Sequence, residues 1–196
     1  MSFKIAFQTI PLLLLALLVI AILIPACAPN FDTSARNKEY KDVLTSTKAS
    51  ASPSASLEPF TTFLQKISDK EYVSANVAKV YSADAYLNDT LVTHRGPEQI
   101  MAYFHTTADT MTSYQVTIDD IASNGAEHYV RWTMIFSAPK LNGGKPVESC
   151  GVSHVRLNAD GKVTMHQDFW DSGTNIYGQI PALGGVIETI RRRFEK

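Results

Sequence analysis

The alternation of apolar and polar residues after Thr110 constrains the fold more than any other feature of this chain. Side chains on one face of a β-strand recur at every second position, and this period persists through residues 114–121, 127–138, 147–157 and 162–171. Turn-forming residues separate the four segments, beginning with Asn124-Gly125, a strong hairpin signal. The pattern predicts an antiparallel meander of four strands.

The residues before the meander have helical periodicity instead. An apolar stripe at three- and four-residue spacing begins at Leu57 and ends at Ile67, and a second short helix is predicted over 71–80. Residues 81–91 are predicted to be extended, and Pro97 fits the first turn of a further helix. Helices followed by antiparallel strands predict an α+β domain over residues 57–171, which is long enough for one core.

The N-terminal segment has the pattern of an export signal or a membrane anchor. No charged residue occurs from Ile10 to Ala28, and Lys4 precedes this run. The densest apolar stretch, Leu12 to Ile24, is shorter than the ~20 residues of a spanning helix. Residues 1–27 are therefore interpreted as a signal peptide, with an uncleaved anchor as the alternative.

The end of this apolar segment resembles a bacterial lipobox. It reads Ile24-Pro25-Ala26-Cys27, and the resemblance implies lipidation of Cys27. Both a lipoprotein and a single N-terminal membrane helix would leave the remainder membrane-anchored and extracytoplasmic. Residues 28–56 are polar and rich in Ser, Thr and Ala, so a flexible linker is predicted there.

The charges divide unevenly along the chain. The formal net charge is −1, but residues 58–171 hold 14 acidic and 9 basic side chains, whereas 172–196 carry Arg191, Arg192, Arg193 and Lys196 against two glutamates. The predicted domain lacks the basic footprint of a nucleic-acid-binding protein. The C-terminal tail, 172–196, is either an amphipathic helix on a membrane surface or a helix packed on the domain.

Several kinds of site are excluded by the absence of their motifs. No His pair has i, i+4 spacing, and no Cys/His cluster is present, so no metal site is predicted. Walker, dinucleotide-glycine and Gly-x-Ser-x-Gly patterns are also absent, which argues against nucleotide cofactors and hydrolase triads. No cofactor is predicted.

Three local motifs then indicate a family. They are Tyr-Ser-Ala-Asp-Ala-Tyr-Leu-Asn-Asp over 81–89, Arg-Gly-Pro-Glu-Gln-Ile-Met-Ala-Tyr-Phe over 95–104, and His-Gln-Asp-Phe-Trp-Asp over 166–171. In order and spacing the chain resembles the SnoaL-like branch of the nuclear-transport-factor-2-like superfamily. The resemblance implies a cone-shaped, curved antiparallel sheet closed by N-terminal helices around a pocket.

The same resemblance implies several functions. Family members act as polyketide cyclases, ketosteroid isomerases, epoxide hydrolases and dehydratases, or only bind ligands or dimerise, so fold alone does not decide among them. The hypothesis is a small apolar ligand and cofactor-independent acid–base catalysis of the isomerase, cyclase or dehydratase type. The alternative is a non-catalytic binding or dimerisation module, with a homodimer as one outcome.

Asp168 is the first candidate for the catalytic group. His166, Asp168 and Trp170 alternate on the last strand and so share one face. A carboxylate beside an imidazole in an apolar pocket makes a general acid–base pair, and the resemblance places Asp168 where polyketide cyclases carry their catalytic acid. A pocket filled by the aromatic side chains, or Asp168 facing bulk water, would rule this hypothesis out.

Further residues are predicted to bind the substrate. They are Tyr86, Arg131, Trp132, His154 and Trp170. Tyr86 or Arg131 is predicted to polarise a substrate carbonyl. The other three are predicted to form the aromatic and imidazole wall of the pocket. Epoxide hydrolases of the superfamily carry Arg and Asp two positions apart on the strand of Arg131. Thr133 replaces that Asp here, which disfavours epoxide hydrolysis.

Overall fold

The computed structural model describes residues 33–51, 53–180 and 182–195. The chain divides into two compact units, Met1–Glu39 and Tyr40–Lys196, and the contacts reported below lie within the second. The predicted signal or anchor and Cys27 lie outside the described residues. Of the helices that can be described, none is long and apolar enough to cross a membrane.

The helices predicted from periodicity are present. The described helices are α1 (Thr33–Ser46), α2 (Glu58–Gln65), α3 (Lys70–Val80), α4 (Gly96–Thr110), α5 (Ser172–Asn175) and α6 (Leu183–Arg191). Local chemistry accounts for their starts: the Asp69 side chain accepts a hydrogen bond from the Tyr72 amide at the start of α3, and Pro97 occupies the first turn of α4.

The strands form one six-stranded sheet, which is curved and not closed into a barrel. They are β1 (Tyr81–Asn88), β2 (Thr93–Arg95), β3 (Ser113–Asn124), β4 (Glu127–Ser137), β5 (Val147–Leu157) and β6 (Val163–Trp170), in the order β2-β1-β6-β5-β4-β3. The meander from β3 to β6 is antiparallel as predicted. The sheet as a whole is mixed, however, because β1 pairs with β6 in parallel.

The two faces of this sheet have different environments. We call the face that carries Trp132, Ser153 and Asp168 the inner face, and the opposite face the outer face. Helices α2, α3 and α4 contribute to the core with the inner face, where Phe63, Tyr81 and Ile100 are fully buried. The α+β class and the helices that close the sheet are thus as predicted.

Part of the segment predicted as a flexible linker lies against the outer face. The Tyr40 hydroxyl is 2.9 Å from His154 Nδ1, and Val43 is buried in a small cluster with Tyr86 and Met165. The Ser50 amide also bonds a strand carbonyl. Tyr40 and Val43 lie one helical turn apart, so their turn buries apolar surface that the segment's composition does not reveal.

Candidate active site

A cavity of about 280 Å³ lies between the inner face and helices α2 and α4. Its walls are mainly apolar and aromatic, including Leu87, Phe104, Tyr114, Trp132, Phe136 and Trp170. Among the described lining residues the ionisable groups are Asp89, Asp168, His166 and two tyrosines, with no Lys or Arg. This volume is just below the roughly 300–1,000 Å³ of ligand pockets, so the cavity has room only for a small molecule.

His166 and Asp168 meet at the wall of this cavity. Both lie on β6, and His166 Nε2 is 2.8 Å from Asp168 Oδ1. His166 is only 2% exposed, and the Asp168 side chain is 15% exposed. The alternation prediction is confirmed, since His166, Asp168 and Trp170 all line the cavity. The two tryptophans leave the cavity open, and Asp168 does not face bulk water.

A chain of hydrogen bonds orients the Asp168 carboxylate. Trp132 Nε1, which can only donate, bonds Ser153 Oγ at 3.0 Å, so the Ser153 hydroxyl is free to donate to Asp168 Oδ1 at 2.5 Å. Ser153 lies directly opposite Asp168 in the β5–β6 register. Two donors, from Ser153 and His166, therefore converge on one carboxylate oxygen.

Tyr81 determines which nitrogen of His166 carries the proton. Its hydroxyl is 2.9 Å from His166 Nδ1. Burial above all, with a smaller effect of Asp168, raises the pKa of Tyr81 well above 10, so the phenol keeps its proton. With the carboxylate accepting at Nε2, we assign the imidazole proton to Nε2 and the acceptor role to Nδ1.

The second oxygen of Asp168 is the one available to a ligand. Both side-chain hydrogen bonds of Asp168 fall on Oδ1, and no described residue donates to Oδ2. Asp168 also lines the cavity. His166 and Ser153 hold the group in place through its other oxygen.

Tyr114 is a further lining residue of the same cavity. Burial raises its pKa, and the charges of Asp168 and Asp89 raise it further, so the phenol stays neutral. Within the part of the chain that the structure describes, no hydrogen bond reaches this hydroxyl, although Tyr114 lines the cavity. A neutral donor and a carboxylate acceptor thus face one apolar space.

Asp89 is a second cavity carboxylate, but its oxygens are occupied. Oδ1 accepts from the amides of Leu91 and Val92, and Oδ2 accepts from the Tyr103 hydroxyl at 2.6 Å. Burial, reinforced by Asp89, raises the pKa of Tyr103 well above its ordinary value. The Asp89 carboxylate therefore fixes the turn after β1 to the cavity wall. Trp170 Nε1 adds to this contact by donating a hydrogen bond to the Asp89 carbonyl.

The predicted substrate-binding residues divide between the two faces. Trp132 and Trp170 line the cavity, whereas Tyr86, Arg131 and His154 do not. The Tyr86 hydroxyl donates to Gln167, Arg131 is exposed near Asp119, and His154 bonds Glu127. Strand alternation is the reason, because neighbours such as Arg131 and Trp132 point to opposite faces.

Ser153, Tyr81, Tyr114 and Asp89 were not predicted as site residues. Asp89 ends the first family motif, and Ser153 precedes His154 in a strand whose alternate residues must face inward. Those two could have been found from the sequence. The contacts of Tyr81 and Tyr114 depend on long-range packing and could not. Among the described residues there is also no group of three or more His, Cys, Asp or Glu placed to hold a metal ion.

The family model described as SnoaL-like domain matches residues 63–166. This range includes β1 to β5, most of the helices that close the cavity, and β6 as far as His166. No curated protein matches the chain.

Solved structures share the fold at low sequence identity. One is a hypothetical protein from Catenulispora acidiphila with a ketosteroid isomerase-like fold, in complex with trimethylamine; it is 18% identical, covers 64% of this chain and 95% of its own, and has a TM-score of 0.55. TsrD from Streptomyces laurentii is 18% identical over 67% and 98% of the two chains, with a TM-score of 0.54. An LEH-like epoxide hydrolase from M. tuberculosis is 15% identical over 68% and 96%, with a TM-score of 0.52.

Proposed function

Because this chain belongs to the SnoaL-like domain family, we propose that its cavity binds a small, largely apolar molecule and that Asp168 transfers a proton to or from it. The reaction class is that of an isomerase, cyclase or dehydratase, in which residues of the chain do the acid–base work without a cofactor. The observation that carries the proposal is that Asp168, whose Oδ2 accepts no described side-chain hydrogen bond, and Tyr114, whose phenol stays neutral, line the same largely apolar cavity.

The proposed step is removal of a proton from a carbon next to a carbonyl. Asp168 Oδ2 takes the proton, and the electron pair moves onto the carbonyl oxygen, which the Tyr114 hydroxyl stabilises by donating a hydrogen bond. Return of the proton from Asp168 to another carbon completes an isomerisation. His166 and Ser153 act as positioning residues, since both bond only the other oxygen of Asp168.

Epoxide hydrolysis is not part of the proposal. Arg131 and Thr133, which stand where that chemistry would require Arg and Asp, both bond Asp119 and do not line the cavity. The likeness to the M. tuberculosis enzyme therefore extends to the fold alone.

We also propose that residues 1–27 hold the domain at a membrane, outside the cytoplasm. The support is the uncharged run from Ile10 to Ala28 and the lipobox-like sequence that ends at Cys27. The full chain is expressed in a bacterial host. We expect globomycin to stop its processing, and we expect Cys27→Ser to abolish it. No processing under any of these conditions, with retained membrane attachment, would favour an uncleaved anchor.

Solvent exchange of a carbon-bound proton tests the catalytic proposal. The full chain is incubated in D₂O with 3-cyclohexenone, and NMR follows both deuterium uptake beside the carbonyl and conversion to the conjugated isomer. We expect Asp168→Asn to slow both by about 10²–10⁴-fold, the usual contribution of a general base. The matched control is Asp119→Asn, an aspartate on the same sheet that does not line the cavity, and its rates should equal the parent's.

The same experiment separates catalysis from binding alone. Native mass spectrometry of both proteins reports whether the ketone is bound. Binding in both without exchange in either would contradict catalysis and favour the alternative of a ligand-binding module. If neither protein binds any small ketone, the ligand proposal itself fails, and the dimerisation alternative gains.

A further inference from the structure

The C-terminal helix exposes an apolar stripe that nothing in the described chain covers. Helix α6 buries none of its residues. Leu183, Val186 and Ile190 follow each other at three- and four-residue spacing, so they share one side of the helix, and all three are exposed. Val186 is 56% exposed, and Phe194, one turn beyond Ile190, is 87% exposed. We call these four residues the tail stripe.

Basic residues lie at the end of the tail stripe. Arg191, Arg192 and Arg193 are consecutive and exposed. Arg192 Nε is 2.8 Å from Glu188 Oε1, and Arg191 donates to the Thr174 hydroxyl at 3.1 Å, but these contacts are solvent-exposed and therefore weak. The domain over 58–171 carries an excess of acidic residues, so positive charge is concentrated at this end of the chain.

We propose that the tail stripe and the three arginines dock on an anionic phospholipid surface. An exposed apolar stripe bordered by arginines is the pattern of a helix that lies in the plane of a membrane, with its apolar side among acyl chains and its cations near lipid phosphates. Charge complementarity favours an anionic membrane as the partner of the tail stripe. An anionic surface attracts the basic tail and repels the acidic domain, so it also fixes the orientation of the domain.

The tail stripe begins close to the cavity. Ile176 lines the cavity, and exposed Tyr177 and Ile180 connect it to Leu183 along the chain. Docking would therefore place an apolar cavity residue beside lipid. A small apolar molecule dissolved in the bilayer would have a short path to Asp168, although the docking itself does not depend on the catalytic proposal.

Hydrogen exchange of helix α6 tests the docking without interference from the N-terminal segment. The full chain is reconstituted into nanodiscs of phosphatidylcholine alone or mixed with phosphatidylglycerol, and mass spectrometry follows peptides covering 183–191. We expect exchange to slow about tenfold or more only with the anionic lipid, and the protection to disappear near 1 M salt, where the Debye length is about 3 Å.

Charge-matched variants complete the test. Changing Arg191, Arg192 and Arg193 together to Gln should abolish the protection, since each arginine near an anionic surface contributes about fivefold in binding. Changing Lys79, Lys140 and Lys145 to Gln removes the same charge elsewhere and should leave the protection intact. Val186→Ser with Ile190→Ser should also abolish it, which separates insertion from simple charge attraction.

Three results would overturn the proposal. Equal protection in both lipid compositions would indicate packing on the rest of the chain. Protection without lipid that grows with protein concentration would indicate a second copy as the occupant. Unprotected amides in anionic nanodiscs would show that the tail remains in water.

Discussion

Two histidine–carboxylate pairs lie on opposite faces of the same sheet. On the inner face, His166 Nε2 is 2.8 Å from Asp168 Oδ1, and on the outer face His154 Nε2 is 2.5 Å from Glu127 Oε2. Both histidines are almost completely buried. By distance alone the two pairs could hardly be distinguished.

Their surroundings differ in the way that matters for chemistry. Arg156 bonds both oxygens of Glu127, and the Leu44 carbonyl and the Tyr40 ring close the outer pair from the side of α1. The outer carboxylate is thus neutralised and fully occupied. In the inner pair one oxygen of Asp168 accepts no described side-chain hydrogen bond, and Asp168 lines a cavity without a described Lys or Arg. The unbonded oxygen, and not the His–carboxylate contact, therefore distinguishes a candidate catalytic pair from a structural one.

The largest expected difference is in catalysis. His166→Asn removes a donor from Asp168, and we expect deuterium uptake by the ketone probe to fall about 10–100-fold, less than for the base itself. His154→Asn removes the equivalent contact on the outer face and should leave uptake within about twofold, because His154 does not reach the cavity. Equal losses of deuterium uptake in the two variants would show that the inner pair has no specific role in catalysis.

The next largest effect is on stability, and it belongs to the outer pair. Arg156→Leu leaves the Leu44 carbonyl without its side-chain donor and Glu127 with His154 alone, and we expect a loss of about 2–3 kcal/mol in the free energy of unfolding, below the full cost for a completely buried pair. Urea denaturation with an unchanged m-value measures it. The control is Arg131→Leu, an exposed arginine whose loss should cost less than about 0.5 kcal/mol.

Gly151→Ala tests the packing of the inner face beside the cavity. Gly151 lies between Trp132 and Trp170 in the strand register, and a Cβ there would approach Trp132 Cζ2 to 2.3 Å. The indole must move, so we expect a loss of about 1–2 kcal/mol from overpacking and weaker binding of the ketone probe. Gly185→Ala, where a Cβ meets no neighbour within 4 Å, should not destabilise the fold. Unchanged binding in Gly151→Ala would place the ligand away from Trp132.

The smallest effect is a difference in pH dependence. The Arg156 hydrogen bond holds the pKa of Glu127 below 4.5, and burial holds that of His154 below 6.5. As pH falls below 6.5, the histidine takes up a proton in the unfolded chain before it does so in the folded one, and below 4.5 the same holds for the glutamate. The stabilisation that the outer pair gives to the fold is therefore lost in acid. Burial raises the pKa of Tyr81 and Tyr103 on the inner face, so the stabilisation that depends on these two phenols is lost as pH rises above 10.

Urea denaturation across the pH range measures this difference. We expect His154→Gln to flatten the acid side of the profile and Tyr103→Phe to flatten the alkaline side, each leaving the opposite side unchanged. Tyr40, whose pKa burial also raises, adds a smaller alkaline contribution from the outer face. If Tyr103→Phe flattened the acid side of the profile instead, the assignment of the alkaline loss to Tyr103 would be wrong.

Local periodicity predicted most of the fold. The meander strands begin and end within three residues of their predicted bounds, and alternation correctly placed His166, Asp168 and Trp170 on one face. The same rule, applied strictly, would have separated Arg131 from Trp132. Residue chemistry alone carries no information on this parity, and Arg131 and Trp132 therefore lie on opposite faces of β4.

Other features depend on distant partners and had no local signal. The parallel pairing of β1 with β6, the approach of Tyr40 to His154 and the bond from Tyr81 to His166 join residues far apart in the sequence. Alternation indicates which way a side chain points relative to its neighbours, but not which strand lies beside it. The cavity polar groups therefore had to be found in three dimensions.

The central place of β6 has a consequence for how the chain acquires its shape during synthesis. This last strand inserts between β1 and β5, and the Tyr81–His166 contact closes a loop of 85 residues. Such non-local pairing slows folding, because chain entropy is lost before the contacts form. A nascent chain that has not yet reached Trp170 presents two unpaired strand edges, which other chains can bind. Its residence on the ribosome is therefore the period in which it is most prone to aggregate.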